Sequence, residues 1–329
     1  MNRRLATRTI AALLGTPFLG VFASHARAQS DKPLTLVVPY AAGGTSDMLG
    51  RLLARQMAEP LGRTVVVENR PGAGSTVGAA HVARAAPDGN TLLIATSSTL
   101  AINPSLYPKL PYDPLKDFAP IAMIALVPLA LVVSPSINAR HVGDLVSLSN
   151  ARPGGLSYAS AGNGSPQHLA AEMFKAATDA ELRHVPYGGS AAALTDVLSG
   201  QVDMMFVDLA PALPHLRAKR LRALGVSSLT RQPTLPDVPA LAESGVAELR
   251  RFEAVAWQSL VAPAGTPKPL VDRLNRLVVE MLDQPPVREG LQRDGVEPRS
   301  SSPDDLATVI RTDTERWARI IKAAGISIA

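Results

Sequence analysis

The chain has 329 residues, 33 Lys and Arg against 28 Asp and Glu, and no cysteine. The lack of cysteine excludes disulfides, thiolate metal sites, a cysteine nucleophile and a lipid-modified N-terminal Cys. Only 13 residues are aromatic (6 Phe, 5 Tyr, 2 Trp), which argues against a stacking cage for a large ring.

The first predicted element is an export leader. Arg3, Arg4 and Arg8 form a basic start, 10–23 is an apolar run broken by Gly15 and Pro17, and Ala26-Arg27-Ala28 is a small-residue cleavage pattern. That order defines a signal peptide over 1–28, cut before Gln29. The Arg3-Arg4 pair leaves Sec and twin-arginine export both open. Four of the 33 basic residues and none of the 28 acidic ones lie in the leader, so the mature chain carries 29 against 28, a net of +1. Nucleic-acid binding thereby loses its main support. No other apolar stretch approaches the ~18 residues of a membrane span. The expectation is a freely diffusing periplasmic protein. Its 301 mature residues (329 less 28) reach the size at which chains divide into two domains.

Predicted strands follow at 34–38, 64–68, 91–96, 129–134, 156–160, 202–207, 221–226 and 257–262. Several are continuously apolar, as strands covered on both faces must be. Amphipathic segments alternate with them; in 46–57, Met48, Leu49, Leu52, Leu53 and Met57 share one helical face. This alternation predicts an α/β fold with mostly parallel sheets.

The strand 34–38 runs into Pro39-Tyr40-Ala41-Ala42-Gly43-Gly44-Thr45-Ser46-Asp47, and 156–160 runs into Ser160-Ala161-Gly162-Asn163-Gly164-Ser165-Pro166-Gln167-His168. A strand that turns through Gly, Ser and Thr into a helix leaves N–H groups free at the helix start, and the helix dipole adds positive potential there. Two such turns could hold a carboxylate at each end of a small molecule. Neither contains Lys or Arg, so neutral donors must carry the binding.

Between these turns, Gly72-Ala73-Gly74-Ser75-Thr76-Val77-Gly78 imitates a dinucleotide fingerprint, but its third glycine is one position late. A tight structural turn accounts for it better. Thr96-Ser97-Ser98-Thr99 places hydroxyls where α/β ligand sites lie, at a strand's carboxyl end, with loop solvation as the competing account. The stretch 103–120, with Pro104, Pro108, Pro111 and Pro114, reads as a long ordered loop.

Further along, Ser165 is a natural helix cap ahead of Pro166. A hydrolase alternative makes it a nucleophile with His168 as base. It lacks a G-x-S-x-G elbow, and a base three residues on along the same helix is badly placed. His168 and Glu172 stand i, i+4 without a third ligand, so no metal is expected, and no cofactor. Tyr187 either walls a pocket or covers a surface. Asp208, at the end of 202–207, either accepts a hydrogen bond from an amino or hydroxyl group of a ligand or caps the next helix. Trp257 reads as packing. Two C-terminal helices complete the chain: 267–282 after Thr266 as cap, and 303–324 after Ser302, ended by Gly325.

Long motifs also recur in a fixed order: Val67-Glu68-Asn69-Arg70-Pro71-Gly72-Ala73-Gly74, Ala86-Pro87-Asp88-Gly89-Asn90-Thr91, Asn103-Pro104-Ser105-Leu106-Tyr107, His184-Val185-Pro186-Tyr187-Gly188-Gly189-Ser190, Leu235-Pro236-Asp237-Val238-Pro239 and Leu260-Val261-Ala262-Pro263-Ala264-Gly265-Thr266-Pro267. With the two glycine turns, these motifs make the chain resemble the Bug-type extracytoplasmic solute receptors of tripartite tricarboxylate transporters, from about Leu34 to the C-terminus.

The resemblance implies a two-lobed, clam-like periplasmic-binding-protein architecture, with lobe one at 31–126 plus 254–329 and lobe two at 127–253. It implies a monomer that closes on a small carboxylate and docks on membrane permease subunits, catalysing nothing. It places the first turn at the cleft, which favours donor roles for Thr45 and Ser46 and leaves Asp47 between ligand contact and helix cap. The ligand-binding set expected on this basis is Tyr40, Gly44, Thr45, Ser46, Asp47, Ser97, Ser160, Gly162, Asn163, Ser165, His168, Tyr187 and Asp208. A sensor subunit presenting its ligand to a membrane kinase is the alternative that transport does not displace, because both use the closed form.

Overall fold

A computed structural model describes residues 32–323 and 325–327. The leader expected at 1–28, with its cut before Gln29, lies outside the described residues, as does Ala324. In chain order the elements are β1 (Leu34–Val38), α1 (Thr45–Leu61), β2 (Val65–Asn69), α2 (Thr76–Ala83), β3 (Thr91–Thr96), α3 (Asn103–Leu106), β4 (Phe118–Val127) and β5 (Leu129–Val133). There follow α4 (Val142–Ala151), β6 (Leu156–Ser160), α5 (Pro166–Thr178), β7 (Leu182–Pro186), α6 (Ser190–Ser199), β8 (Met204–Asp208), α7 (Leu209–Arg217) and β9 (Arg222–Val226). The chain closes with β10 (Ala256–Pro263), α8 (Lys268–Asp283), α9 (Pro285–Arg293), β11 (Glu297–Pro298) and α10 (Pro303–Ala323).

The strands form two sheets, one in the order β11-β4-β10-β3-β1-β2 and one in the order β7-β6-β8-β5-β9. Helices cover both faces of each, which explains the continuously apolar strands. Leu34, Leu36 and Val38 of β1 face the helices α1 and α8, through Leu49, Leu53, Leu274 and Val278, whereas Val37 faces α2 and α10. In the second sheet Leu129, Leu131 and Val133 pack toward α4 and α5, and Ala130 and Val132 toward α6 and α7. Burying both faces removes twice the apolar area a one-sided sheet would, at roughly 25 cal/mol per Å².

The expectation of mostly parallel sheets is corrected: both sheets are mixed. β1 runs parallel to β2 and β3, and β6 parallel to β7 and β8. However, β10 is antiparallel to β3 and β4, β11 to β4, and β5 to β8 and β9. The cause is the path of the chain. β4 ends in the first sheet at Val127 and β5 starts in the second at Leu129, with Pro128 alone between them. The carboxyl ends of β3 and β8 lie beside the starts of β10 and β5: Thr96 pairs with Gln258, and Asp208 with Leu129. A strand entering a sheet at that edge must run away from it, against its neighbours. The outgoing and returning paths are tied together by Ser227, whose Oγ accepts from Leu129 N at 2.9 Å and donates to Ala254 O at 2.8 Å.

β4, β7 and β11 are not among the strands expected from sequence. β4 begins inside the stretch expected as loop; its Pro120 sits where the register with β10 shifts between Leu260 and Val261, a place that tolerates a missing N–H. β7 (Leu-Arg-His-Val-Pro) is an edge strand and carries the mixed polarity of one. The start of the same loop is helical (α3), and Tyr112 pins the rest through a 2.7 Å hydrogen bond to Thr99 O. Trp257 is buried and donates from Nε1 to Asp313 of α10 at 2.6 Å. Thr266 does not cap α8, since its hydroxyl donates to Pro263 O at 2.7 Å, whereas Ser302 Oγ accepts from Asp305 N at 3.1 Å at the start of α10.

Candidate functional site

The carboxyl ends of β1, β3, β6 and β8 converge where the two sheets face one another, and the loops leaving them build a cleft. It contains a cavity of about 360 Å³ and, adjoining it at Tyr40 and Ala161, a smaller one of about 20 Å³. The larger is at the low end of ligand pockets, and the smaller has room for about one water. Neither is lined by Lys or Arg.

The first turn forms one wall. The cap of α1 is Gly44, which has no side chain, so the helix start keeps unsatisfied N–H groups. Gly43 adopts φ +90°. Tyr40, Gly44, Thr45, Ser46 and Asp47 all line the small cavity. Ser46 Oγ donates to Gln258 Oε1 at 3.1 Å. The Asp47 carboxylate turns back, accepting from Gly43 N at 3.1 Å, Arg51 Nε at 2.9 Å and Asn69 Nδ2 at 3.1 Å. Burial pushes this carboxyl up, but these donors, Arg51 foremost, hold it below the usual carboxylate range. Asp47 thus braces the turn.

The second turn forms the opposite wall. Gly162 (φ +122°) and Asn163 line the larger cavity, as does Tyr187. Tyr187 donates its hydroxyl to Asp196 Oδ2 at 2.6 Å; burial and that carboxylate push the phenol up to about 12. Asp208 lines the small cavity, buried, and Gln167 Nε2 donates to it at 2.7 Å. It makes no side-chain cap to α7. Burial raises its carboxyl above the ordinary range. Gln167 Oε1 is buried on the same wall with no partner among the described residues.

Four expected residues stand behind the walls. Ser97 Oγ is buried without a partner among the described residues. Ser160 Oγ accepts from Gly162 N at 3.1 Å and lies 2.6 Å from His184 Nε2. Ser165 caps α5, its Oγ accepting from His168 N at 3.3 Å. Fully buried in that role, it is no nucleophile. His168 Nδ1 accepts from Gly164 N at 3.1 Å, while Glu172 instead accepts from the Tyr158 hydroxyl, so the pair is not a joint ligand set.

Sequence reading missed a third wall. Gly72, Ala73, Gly74 and Ser75, taken as a tight turn of structural origin, line the larger cavity. All four have positive φ (137°, 44°, 60° and 80°), a costly run for Ala73 and Ser75. Asn103 Nδ2 props it by donating to Gly74 O at 2.9 Å. The signal was present in the two glycines, but positive φ at Ala and Ser has no composition signature. Tyr107 and Gln258 were likewise missed, since only tertiary packing carries them to the cleft.

The walls touch. Ala41 N donates to Gly188 O at 3.4 Å, Ser98 Oγ to Gly164 O at 2.6 Å and Tyr107 OH to Asn163 O at 3.4 Å. A Cβ on Gly74 would lie 2.1 Å from Asn163 O. Chemically, the cleft offers amide and hydroxyl donors around two buried carboxyls, Asp47, which is paired with Arg51, and Asp208, which has no cation beside it. Among the described residues, no cluster of three or more His, Asp or Glu could hold a metal, and no helix is long and apolar enough to cross a membrane.

A family model described as the tripartite tricarboxylate transporter family receptor matches residues 49–326. Protein BugT of Bordetella pertussis is 37% identical over 298 residues, covering 90% of this chain and 90% of that protein. The solved structure of R. palustris Rpa4515 with adipate is similar at TM-score 0.87 and 37% identity, over 91% of this chain and 99% of that one. MatC (Rpa3494) from Rhodopseudomonas palustris with bound malate is similar at TM-score 0.83 and 34% identity, over 88% and 99%.

Proposed function

Since the chain belongs to the tripartite tricarboxylate transporter receptor family, we propose that it captures a small organic carboxylate in the cleft and delivers it to the membrane permease subunits of its transporter. The family is one of solute receptors, and the chain is not an enzyme. In this reading it is a periplasmic monomer freed by removal of 1–28. Its lobes are 31–126 plus 254–329 and 127–253, and they close over the solute.

The observation that carries the reading is the pair of glycine turns, from different sheets, meeting across a cavity without a cationic side chain. In this reading the first turn offers the N–H groups of α1 and the Thr45 hydroxyl to one carboxylate, whereas Ser46, expected as a donor, has its hydroxyl hydrogen on Gln258. The second offers Gly162 and Asn163, with Tyr40 and Tyr187 as walls. Asp208 and Gln167 Oε1 take a hydroxyl or amino hydrogen of the ligand. Ser97, Ser160, Ser165 and His168 act from behind. Similarity to proteins that hold adipate and malate supports an acidic ligand of this size. Charge-assisted hydrogen bonds of about 1.5–3 kcal/mol each, less ordering costs, support affinity on the order of micromolar.

A thermal-shift panel of adipate, malate and their diamides tests this. A bound acid at 100 times its Kd stabilises the fold by about 2.7 kcal/mol and raises Tm accordingly. Stabilisation by the diamides with none by the acids would refute it.

A further inference from the structure

Beneath the second turn lies a stack of rings that lines neither cavity. His168 (α5) and His184 (β7) stack with centroids 4.1 Å apart and planes 15° apart, and Tyr158 (β6) stacks on His184 at 4.8 Å. Each imidazole holds one end of the turn. His184 Nε2 sits 2.6 Å from Ser160 Oγ, which accepts Gly162 N–H. His168 Nδ1 accepts Gly164 N–H. An amide only donates, so Nδ1 must be bare of its proton for this bond to exist.

The bond matters because of what shares its peptide unit. Gly164 N–H and Asn163 C=O belong to one planar trans peptide and point opposite ways. The N–H goes to His168 and the C=O faces the other lobe, where Tyr107 OH donates to it and Gly74 packs against it. His168 thereby aims an interlobe contact it does not itself make. A proton on Nδ1 evicts the amide and seeks an acceptor, and a rotation at Gly164 that turns the N–H away swings the carbonyl of the same peptide toward the ring. Rotation costs little at a glycine.

We infer that His168 and His184 are positioning residues, which keep the second turn in its gripping shape only while both rings are neutral, so that the receptor releases its solute as its surroundings acidify. This rests on the reading that the second turn grips the solute. Burial supports it, holding both rings down to about 4, and a charge on His168 further opposes one on His184. The titratable groups facing the pair are Tyr158 from β6, Glu172 from α5 and, across the cleft, Tyr107. Glu172 favours charge on His184 but is engaged by the Tyr158 hydroxyl. From β8, Asp208 is turned to Gln167. As pH falls from about 6.5 to about 4, a loosened turn gains protons that the gripping turn refuses, so affinity falls through that window.

The test is NMR of the whole mature protein with adipate as the probe, in the native chain and His168→Asn, where Asn Oδ1 offers an acceptor that does not titrate. In the native chain the Gly164 amide shifts with the same midpoint as the His168 ring, and the adipate Kd rises about five-fold or more from pH 7 to pH 5. In His168→Asn the amide stops titrating and the ratio of the two Kd values falls toward that of adipate's own titration. A Gly164 amide indifferent to the ring, or equal Kd ratios in the two proteins, overturns the inference. If adipate binds neither protein at pH 7, the test of carboxylate capture fails for that ligand, and the amide titration alone decides the histidine role.

Discussion

Two buried carboxyls on facing walls of the cleft are treated in opposite ways. Asp47 accepts three hydrogen bonds, one from Arg51, and is held ionised. Asp208 receives Gln167 and burial, with no cation, and its carboxyl is raised. The first is a brace; the second has an amide donor but no cation beside it. A raised carboxyl contributes stability that is present below its unfolded pKa of about 3.9 and lost as pH rises through the folded value. Asp208→Asn removes that loss. Its Tm should exceed the native one at pH 7, and the difference should shrink as pH falls toward 4. The same variant should weaken malate, which carries a hydroxyl, more than adipate, which does not. Calorimetry of the two ligands checks the second half, and equal losses would remove Asp208 from selectivity.

At the scale of elements, the proposed function assigns to the strand-to-helix turns the work that arginine clamps do elsewhere. Their cost is backbone strain, concentrated in the positive-φ run from Gly72 to Ser75. Gly74 is the position where strain and closure coincide, with φ +60° and Asn163 O where a Cβ would go. Gly74→Ala should therefore hinder the closed form more than the fold. We expect the adipate Kd to rise about ten-fold or more, equivalent to ~1.4 kcal/mol. The ligand-free Tm should drop by only a few degrees, as one strained residue implies. An unchanged Kd would show that the third wall takes no part in closure.

At the scale of the molecule, the two crossings tied at Ser227 join the two sheets. Such a joint permits rotation of one sheet's layer against the other. The electrostatics of the assembly are local. Residues 29–329 carry 29 basic against 28 acidic groups, and neither cavity is lined by Lys or Arg, so dipoles and hydroxyls supply the positive potential there. Short-range dipoles are poorly screened compared with exposed charges at the ~10 Å Debye length of 0.1 M salt. The Kd for the bound acid should change less than about three-fold between 0.05 and 0.5 M NaCl. A loss of ten-fold or more would point to guanidinium or ammonium groups gripping the ligand.

The sequence by itself determined the layered α/β fold, because strands buried on both faces must be continuously apolar, and the runs at 36–38, 92–95 and 129–133 are. It also marked the two turns, since glycine beside Ser and Thr at a helix start has few other uses. It did not reveal that both sheets are mixed, because strand direction depends on where the chain re-enters a sheet, not on side-chain pattern. Nor did it reveal the wall at Gly72–Ser75 or the roles of Tyr107 and His184. Those residues are far from the turns in sequence and acquire meaning only from what packing sets opposite them. Tertiary structure alone separated wall from support, because Ser165, Ser160 and His168 carry the same chemistry as Thr45 and Ser46 and differ in which way burial turns them.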